Sequence, residues 1–337
     1  MRPLRVLMTH DFSEPLLDEL RAVSARLVLT VYPTRREEEL PPDAVAGSEV
    51  LYASTALPQP EAAPELKWVQ CHSAGIDHLA DHPLLKTAIQ VTTVSGVHGS
   101  QMAEYVLLMI LAAGHHLQRL LEYQRRREWP PARAELLTPH ELRGATLGIV
   151  GYGSIGREVA RLAHAFGMDI LATKRDAMNP VDHGYIQPGA GDRAGDLLKR
   201  LYPPQALRSM LAESDYVLTA VPLAPETRHL IGALEFQAMK KSAVFINVAR
   251  GGVVDETALV AALRAGEIGG AALDVFAAEP LPADSPLWEL PNVILTPHIS
   301  GLSRHYDERA AALFAENLRR YIAGEELLNI YDRTRGY

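Results

Sequence analysis

The sequence predicts an α/β fold in which parallel sheets are covered by helices. Three observations predict it. Short β-rich runs alternate with helical patterns almost throughout, the rhythm of βαβ units. The alternation begins at residue 4 and begins afresh at residue 145, so the chain carries two such series. The length, 337 residues, is long for one domain and comfortable for two.

In the first series Leu4–Met8 reads as a strand and residues 14–23 as a helix. Residues 26–31, Val50–Ala53, 67–71 and 91–93 follow as strands, with a Pro-rich connection over 58–64. Met102, Val106, Met109, Ile110, Ala113, Leu117 and Leu120 recur at helical spacing, so residues 101–121 predict one long helix. Arg125-Arg126-Arg127 and Trp129-Pro130-Pro131 stop it. The arginine run reads first as a solvated face, with a subunit or phosphate contact as the sharper alternative. In the second series Thr146–Val150 is a strand and residues 155–166 a helix. Asp169–Thr173 and residues 216–221, 243–247, 271–275 and 293–296 are strand-like, and a last helix covers about 304–323. Residues 179–204, rich in Gly, Pro, Asp and Arg, show no period; a loop that long in a compact domain is functional or mobile.

Composition narrows the function. Hydrophobic residues at 47% and charged residues at 22% describe an ordinary soluble globular protein. A net charge of -8 gives no basic face, so no nucleic-acid partner is expected. The single cysteine, Cys71, excludes an internal disulfide, fits a reducing cytosol and reads as a small buried apolar residue. The N-terminus runs straight into a strand without the pattern of a signal peptide. The apolar stretch 106–113 is far short of the roughly 20 residues that span a bilayer. A cytoplasmic protein with no membrane partner and no metal site is the expectation.

Gly151-Tyr-Gly153-Ser-Ile-Gly156 follows an apolar strand and opens a helix. A bare G-x-G-x-x-G is weak evidence; strand, turn and helix together make it strong. Gly151 allows the tight turn, Gly153 lets the backbone approach a pyrophosphate, and Gly156 lets helix and strand pack closely. The alternative is a Gly-rich turn with no ligand. The next strand ends in Lys174-Arg175, where an acid that binds the ribose 2′-hydroxyl is usual. Two cations suit a 2′-phosphate, so NADP is the preferred cofactor over NAD. The competing reading leaves both cations merely exposed with NAD bound, and Asp176 complicates the choice.

Three polar residues follow strands of the second series: Arg250, Glu279 and His298. C-terminal strand ends border the ligand crevice of an open α/β sheet, so the three can converge on one carbonyl. A guanidinium binds the carboxylate of a 2-keto acid with a planar fork and polarises its carbonyl. Hydride transfer leaves negative charge on the carbonyl oxygen, which an imidazole is suited to protonate near neutral pH. A neighbouring carboxylate favours the imidazolium and orients the ring. Each residue alone has a bland reading: Arg250 as a surface ion pair, Glu279 as an exposed acid before Pro280, His298 as a satisfied histidine.

Residues 145–156 (ATLGIVGYGSIG), 221–231 (VPLAPETRHLI), 245–255 (FINVARGGVVD), 273–281 (LDVFAAEPL) and 292–301 (NVILTPHISG) resemble the D-isomer-specific 2-hydroxyacid dehydrogenases. The resemblance covers nearly the whole chain, weakens before residue 65 and is lost over 179–204. It implies two doubly wound parallel-sheet domains: a flavodoxin-like substrate domain (1–97 and 302–337) and a Rossmann dinucleotide-binding domain (98–301), with the active site in the cleft between them. It implies that Arg250, Glu279 and His298 are the substrate arginine, its acid partner and the acid/base histidine. Backbone N–H groups at Ser73, Ala74 and Gly75, within His72–Asp77, would hold the substrate carboxylate. Met102, Ser154, Ile155, Val221, Pro222, Val248, Ala249, Arg250, Asp274, His298 and Gly301 fall where the family contacts the dinucleotide, with Asp274 at the nicotinamide carboxamide. The long helix resembles the dimerisation element, which implies a homodimer. Pocket residues are expected near His72, His98 and Trp288.

Lys174-Arg175 resembles the glyoxylate and hydroxypyruvate reductases that use NADPH. The 179–204 stretch resembles an insertion beside the adenosine end of the site, placed to cover the cofactor, meet a partner subunit or stand as a surface loop. The function implied first is reduction of a small 2-keto acid, or oxidation of the matching D-2-hydroxy acid. Formate, phosphite and 3-phosphoglycerate dehydrogenases share the fold; the last are disfavoured by the lack of a regulatory domain after the last helix. The alternative of a different class is a dinucleotide-sensing interaction protein, since corepressors of this fold keep the same three residues.

Overall fold

Two parallel sheets organise the chain. The computed structural model describes residues 2–79 and 81–335. They fall into two units: Met1–Val97 with Ser303–Tyr337, and His98–Leu302.

The first unit carries β1 (Leu4–Met8), α1 (Glu14–Arg21), β2 (Leu27–Val31), α2 (Pro42–Gly47), β3 (Val50–Ala53), β4 (Trp68–Cys71) and β5 (Gln90–Thr92). The strands pair in parallel in the order β2-β1-β3-β4-β5. Leu4 lies opposite Leu27, and Val6 opposite Val50. β3 and β4 are buried at every position, and their sequences are apolar but for Gln70. β2, on the edge, alternates half-buried and exposed. The C-terminal helix, Tyr306–Ala323, packs on α1 and buries Phe314 and Leu318. Its Asn317 is fully buried yet paired: Nδ2 donates to Gln70 Oε1 at 3.0 Å, and Oδ1 accepts from Leu328 N at 2.8 Å. Gln70 Oε1 also accepts from Thr92 Oγ1 at 2.8 Å. A buried polar network is tolerated when its members are satisfied, and this one locks the C-terminal segment to β4 and β5. Burial pushes the Cys71 thiol up to about 12, which removes it as a nucleophile.

The second unit contains α3 (Gly99–Gly114), α4 (Leu117–Arg126), α5 (Arg133–Leu136), β6 (Thr146–Val150), α6 (Ser154–Ala165), β7 (Asp169–Thr173) and β8 (Arg200–Tyr202). It continues with α7 (Leu207–Glu213), β9 (Tyr216–Thr219), α8 (Ala233–Ala238), β10 (Val244–Asn247), α9 (Glu256–Ala265), β11 (Gly270–Leu273) and β12 (Val293–Leu295). The parallel order is β12-β11-β10-β9-β6-β7-β8. β6 pairs with β7 on one side and β9 on the other, so the winding reverses there. The carboxyl ends of strands at such a switch point form the ligand crevice.

Two elements differ from the sequence reading. The single helix expected over 101–121 is broken: α3 ends at Gly114, and His116 takes a left-handed φ of 55° before α4 begins. A Cβ on Gly114 would lie 2.8 Å from Tyr216 Oη and 3.2 Å from His140 O, so the helix end is pressed against β9. The aperiodic stretch 179–204 ends in β8, a three-residue edge strand too short to show alternation.

Candidate active site

The glycine loop lies at the switch point of the second sheet. Gly151 follows β6 at φ +101°. A Cβ there would sit 2.6 Å from Val221 Cγ1 and 2.7 Å from Ala220 O. A Cβ on Gly156 would sit 2.5 Å from Gly151 O and 2.9 Å from Ile149 Cγ2, so any side chain would lift α6 off β6. Around Gly153 the reverse holds, with nothing within 4 Å of the added atom. Gly153 caps α6 without a side-chain hydrogen bond. The first N–H groups of α6 thus border open space, which fits a pyrophosphate. Met102, Val248 and Ala249 are buried, Ser154, Ile155, Val221 and Gly301 are half-buried, and Pro222 is exposed.

Arg250 leaves β10 through Asn247. Buried Asn247 accepts on Oδ1 from Thr219 Oγ1 at 2.8 Å and Ala249 N at 3.1 Å, and donates from Nδ2 to Arg250 O at 3.2 Å. Three hydrogen bonds therefore set the turn that presents Arg250, whose Nη1 donates to Ala249 O at 2.9 Å. A Cβ on Gly251 would lie 1.9 Å from the carbonyl carbon and oxygen of Phe276. The turn after β10 thus rests directly on the turn after β11, where Glu279 stands.

Glu279 uses both oxygens. Oε1 accepts from Phe276 N at 3.0 Å, and Oε2 is 2.7 Å from His298 Nδ1. The carboxylate holds one ring nitrogen and leaves Nε2 on the far side of the imidazole. His298 has a left-handed φ of 54°. Its N–H donates to Asp274 O at 2.9 Å. The fully buried Asp274 carboxylate accepts from Thr296 Oγ1 (2.6 Å), Ile299 N (2.8 Å) and Ser300 N (2.9 Å). Both oxygens of Asp274, expected at the nicotinamide carboxamide, thus shape the histidine turn. From α3, Tyr105 Oη meets Thr296 Oγ1 at 2.6 Å and Gln101 Nε2 donates to Gly301 O at 3.1 Å. Burial pushes the Tyr105 phenol up to about 12, so it serves as a neutral hydrogen-bonding group. A carboxylate-held imidazole and a guanidinium on adjoining turns can protonate an oxygen and bind an anion.

Residues 107–300 match the family described as the NAD binding domain of D-isomer specific 2-hydroxyacid dehydrogenases. The chain belongs to this family. The dehydrogenase is 38% identical to a glyoxylate reductase of Korarchaeum cryptofilum over 269 residues, 79% of this chain and 76% of the relative. It is 38% identical to an (S)-sulfolactate dehydrogenase of Chromohalobacter salexigens over 261 residues, 76% of this chain and 78% of the relative. A D-isomer specific 2-hydroxyacid dehydrogenase of Xanthobacter autotrophicus, solved with NADPH and MES, has a TM-score of 0.80 at 30% identity and is covered, as is this chain, to 100%. The dehydrogenase is therefore an NAD(P)-dependent oxidoreductase acting on the CH–OH group of small 2-hydroxy acids or the carbonyl of the matching keto acids.

In the first unit of the dehydrogenase, Ser73, Ala74 and Gly75 follow β4 and are half-buried. Among the described residues no acceptor meets their backbone N–H groups, and Ser73 Oγ is buried without a partner. The nearby His72 is held through Nδ1 by Tyr52 Oη at 2.6 Å. Trp288, expected near the pocket, is exposed and donates from Nε1 to Pro282 O at 2.9 Å.

The two cations after β7 are not equivalent. Lys174 Nζ donates to Asn179 O (2.5 Å) and Val181 O (2.9 Å), and burial lowers its pKa. Arg175 is exposed. The 176–199 stretch is stapled to α6 rather than loose. Arg157 of α6 is fully buried and donates to the carbonyls of Pro180, Asp192 and Arg193, 3.4 Å from the Asp182 carboxylate and stacked over the Tyr152 ring at 4.5 Å. Tyr152, inside the glycine loop, donates to Asp192 Oδ2 at 2.5 Å, and Glu158 Oε2 accepts from Gly191 N at 2.5 Å. Asn247, Tyr105, Arg157 and Asp192 are the positioning residues that sequence reasoning misses. A polar Asn closing the apolar run Val244–Asn247 is the one signal that points to any of them.

Proposed function

We propose that the dehydrogenase reduces a small 2-keto acid of the glyoxylate or hydroxypyruvate class with NADPH, and oxidises the matching D-2-hydroxy acid in reverse, with His298 as acid and base. The observation that carries this reading is the 2.7 Å pair of His298 Nδ1 and Glu279 Oε2 at the carboxyl ends of the second sheet. The bound dinucleotide supplies the hydride. Arg250 binds the substrate carboxylate and draws electron density from the carbonyl. His298 Nε2 gives its proton to the carbonyl oxygen, and Glu279 stabilises the imidazolium that precedes this transfer. The N–H groups of Ser73, Ala74 and Gly75, which meet no acceptor among the described residues, are proposed as further carboxylate donors, with the first unit as the substrate domain and His98–Leu302 as the cofactor domain. Arg175 carries the preference for a 2′-phosphate; Lys174 shapes the loop beside it. The relatives named glyoxylate reductase support the choice of small keto acids.

Initial rates for a panel of 2-keto acids with NADPH and with NADH test the proposal. The expected result is turnover of glyoxylate or hydroxypyruvate with kcat/KM at least about tenfold higher for NADPH, the effect of one charge-assisted contact. A preference for NADH, or cofactor binding without turnover of any keto acid, would overturn it.

The assembly proposed is a homodimer. Leu117, Leu120, Leu121 and Leu136 are exposed along α4 and α5, and Trp129 is 82% exposed between them, an apolar strip that a second copy would cover. Light scattering after size exclusion checks this; a monomer at micromolar concentration refutes it. No helix among the described residues is long and apolar enough to cross a membrane. With buried Cys71 as the lone thiol, a cytoplasmic location is proposed.

A further inference from the structure

His72 follows β4 and opens the turn in which the N–H groups of Ser73, Ala74 and Gly75 meet no acceptor among the described residues. That histidine is held on every side. Its N–H donates to Ala53 O at 2.8 Å, and the next carbonyl, Ser73 O, accepts from Val94 N at 3.2 Å. Its own carbonyl accepts from Tyr306 Oη at 2.5 Å. On the ring, Nδ1 lies 2.6 Å from Tyr52 Oη and Nε2 lies 3.5 Å from Asp307 Oδ1. The His10 imidazole stacks on the ring at 3.7 Å, with 24° between the planes. His10 Nε2 in turn donates to the same Asp307 Oδ1 at 3.2 Å.

We propose that His72 is the positioning residue of the substrate-carboxylate turn, and that Tyr306 and Asp307 of the C-terminal helix fix it there together with Tyr52 and His10. The inference rests on the keto acid reading, in which the N–H groups of Ser73, Ala74 and Gly75 meet the carboxylate. Backbone donors bind an anion best when they are aimed before it arrives, since no ordering is then needed on binding. Ala74 and Gly75 bring no polar side chain to anchor the turn, and Ser73 Oγ is buried without a partner. The side chain that anchors the start of the turn is therefore that of His72. Burial keeps the Tyr52 and Tyr306 phenols neutral, so each retains a proton to donate. A phenol that donates to Nδ1 leaves the proton of a neutral ring on Nε2, on the side of Asp307. Stacking on His10 then sets the ring plane, and one carboxylate oxygen serves both rings. The His10 and His72 side chains are 22% and 14% exposed, so packing as well as hydrogen bonding resists rotation.

Sequence reading misses this clamp because Tyr306 and His72 stand 234 positions apart. Its effect falls on carboxylate binding, while hydride and proton come from the second unit. A carboxylate is bound alike in the ground state and the transition state. Loosening its donors therefore raises KM and leaves kcat.

The test is steady-state reduction of glyoxylate by the full chain at saturating NADPH. It is run with Ki for oxamate, a keto acid mimic that is not reduced, and with NADPH affinity from a fluorescence titration. Tyr306→Phe removes the hydroxyl that holds His72 O, and Asp307→Ala removes the acceptor that faces both rings. Each should raise KM for glyoxylate and Ki for oxamate together by about tenfold, the effect of one weakened charge-assisted contact, with kcat within about threefold of wild type. NADPH affinity should hold. Tyr321→Phe is the control, since it deletes a hydroxyl of the same helix that bonds Glu49 at 2.8 Å rather than the turn, and its KM should match wild type. Circular dichroism verifies the fold of each variant. A wild-type KM in folded Tyr306→Phe or Asp307→Ala would overturn the positioning role and leave the keto acid reading standing. So would a fall in kcat at unchanged KM, or an equal rise of KM in Tyr321→Phe. A wild-type chain that turns over no keto acid would overturn that reading and the inference with it.

Discussion

Glu279→Gln keeps the size of the side chain and removes its charge, so it measures what the carboxylate does for His298. In the native chain Oε1 accepts from Phe276 N at 3.0 Å and Oε2 faces His298 Nδ1 at 2.7 Å. A glutamine has one acceptor oxygen and one NH2 group. One of the two donors must therefore lose its acceptor, and an NH2 facing Nδ1 opposes the imidazolium. Two unit charges about 4 Å apart attract by about 1 kcal/mol in water and about 4 kcal/mol at a surface-like dielectric of about 20. The His298 and Glu279 side chains are 46% and 36% exposed, so solvent screens much of the larger value. A middle figure of about 2 kcal/mol corresponds to a roughly 30-fold loss of kcat, at about 1.4 kcal/mol per tenfold. The assay is steady-state keto acid reduction at saturating NADPH, with NADPH affinity from a fluorescence titration. The affinity should hold while kcat falls. A kcat within threefold of wild type would show that the carboxylate does not act through the imidazole. A loss of about 10⁴-fold, the size seen when a triad carboxylate is neutralised in a buried site, would refute the screening argument.

Three further outcomes follow from the same structure. Gly251→Ala places a methyl 1.9 Å from the Phe276 backbone, where nothing flexible can yield; stability should drop by about 3 kcal/mol or more and the melting temperature by about 6 °C or more, and an unchanged melting curve refutes the close packing of the two turns. Arg157→Met strands the carbonyls of Pro180, Asp192 and Arg193 and the Asp182 carboxylate; it should expose 176–199 to limited proteolysis and raise the KM for NADPH about tenfold with kcat largely kept, at a stability cost of about 3 kcal/mol or more, and an unchanged cleavage pattern refutes the staple. Arg175→Ala should cut the NADPH-over-NADH preference by roughly 10- to 100-fold, the range for a lost charged hydrogen bond, and Lys174→Ala should cut it less; the reverse ranking refutes the split between the two cations.

The strands are legible because parallel strands buried on both faces are continuous apolar runs. Thr146–Val150 and Val244–Asn247 read directly as such. The helix break at Gly114 is not legible, because the apolar spacing runs on through Leu117 and Leu120. Those two residues are 40% and 42% exposed in α4, so the periodicity that suggests one buried helix face ends on a face open to solvent. β8 stays hidden for a simpler reason, since three residues at a sheet edge carry no pattern to count.

Arg250, Glu279 and His298 stand out in the sequence as polar residues after apolar strands, but what positions them acts across strands. Asn247 works through Thr219, 28 residues away, and Asp274 through Thr296, 22 residues away. No local spacing encodes such pairs. Lys174 and Arg175 show the same limit from the other side. Adjacent in sequence, they look like two ligands for one phosphate. One turns into the loop and spends its donors on Asn179 O and Val181 O, while the other remains at the surface. The loop that claims Lys174 is in turn held by Arg157 and Tyr152, the second of them inside the glycine motif itself. The proposed preference for NADP therefore cannot count the two consecutive cations alike, because Lys174 is committed to the loop that Arg157 and Tyr152 hold.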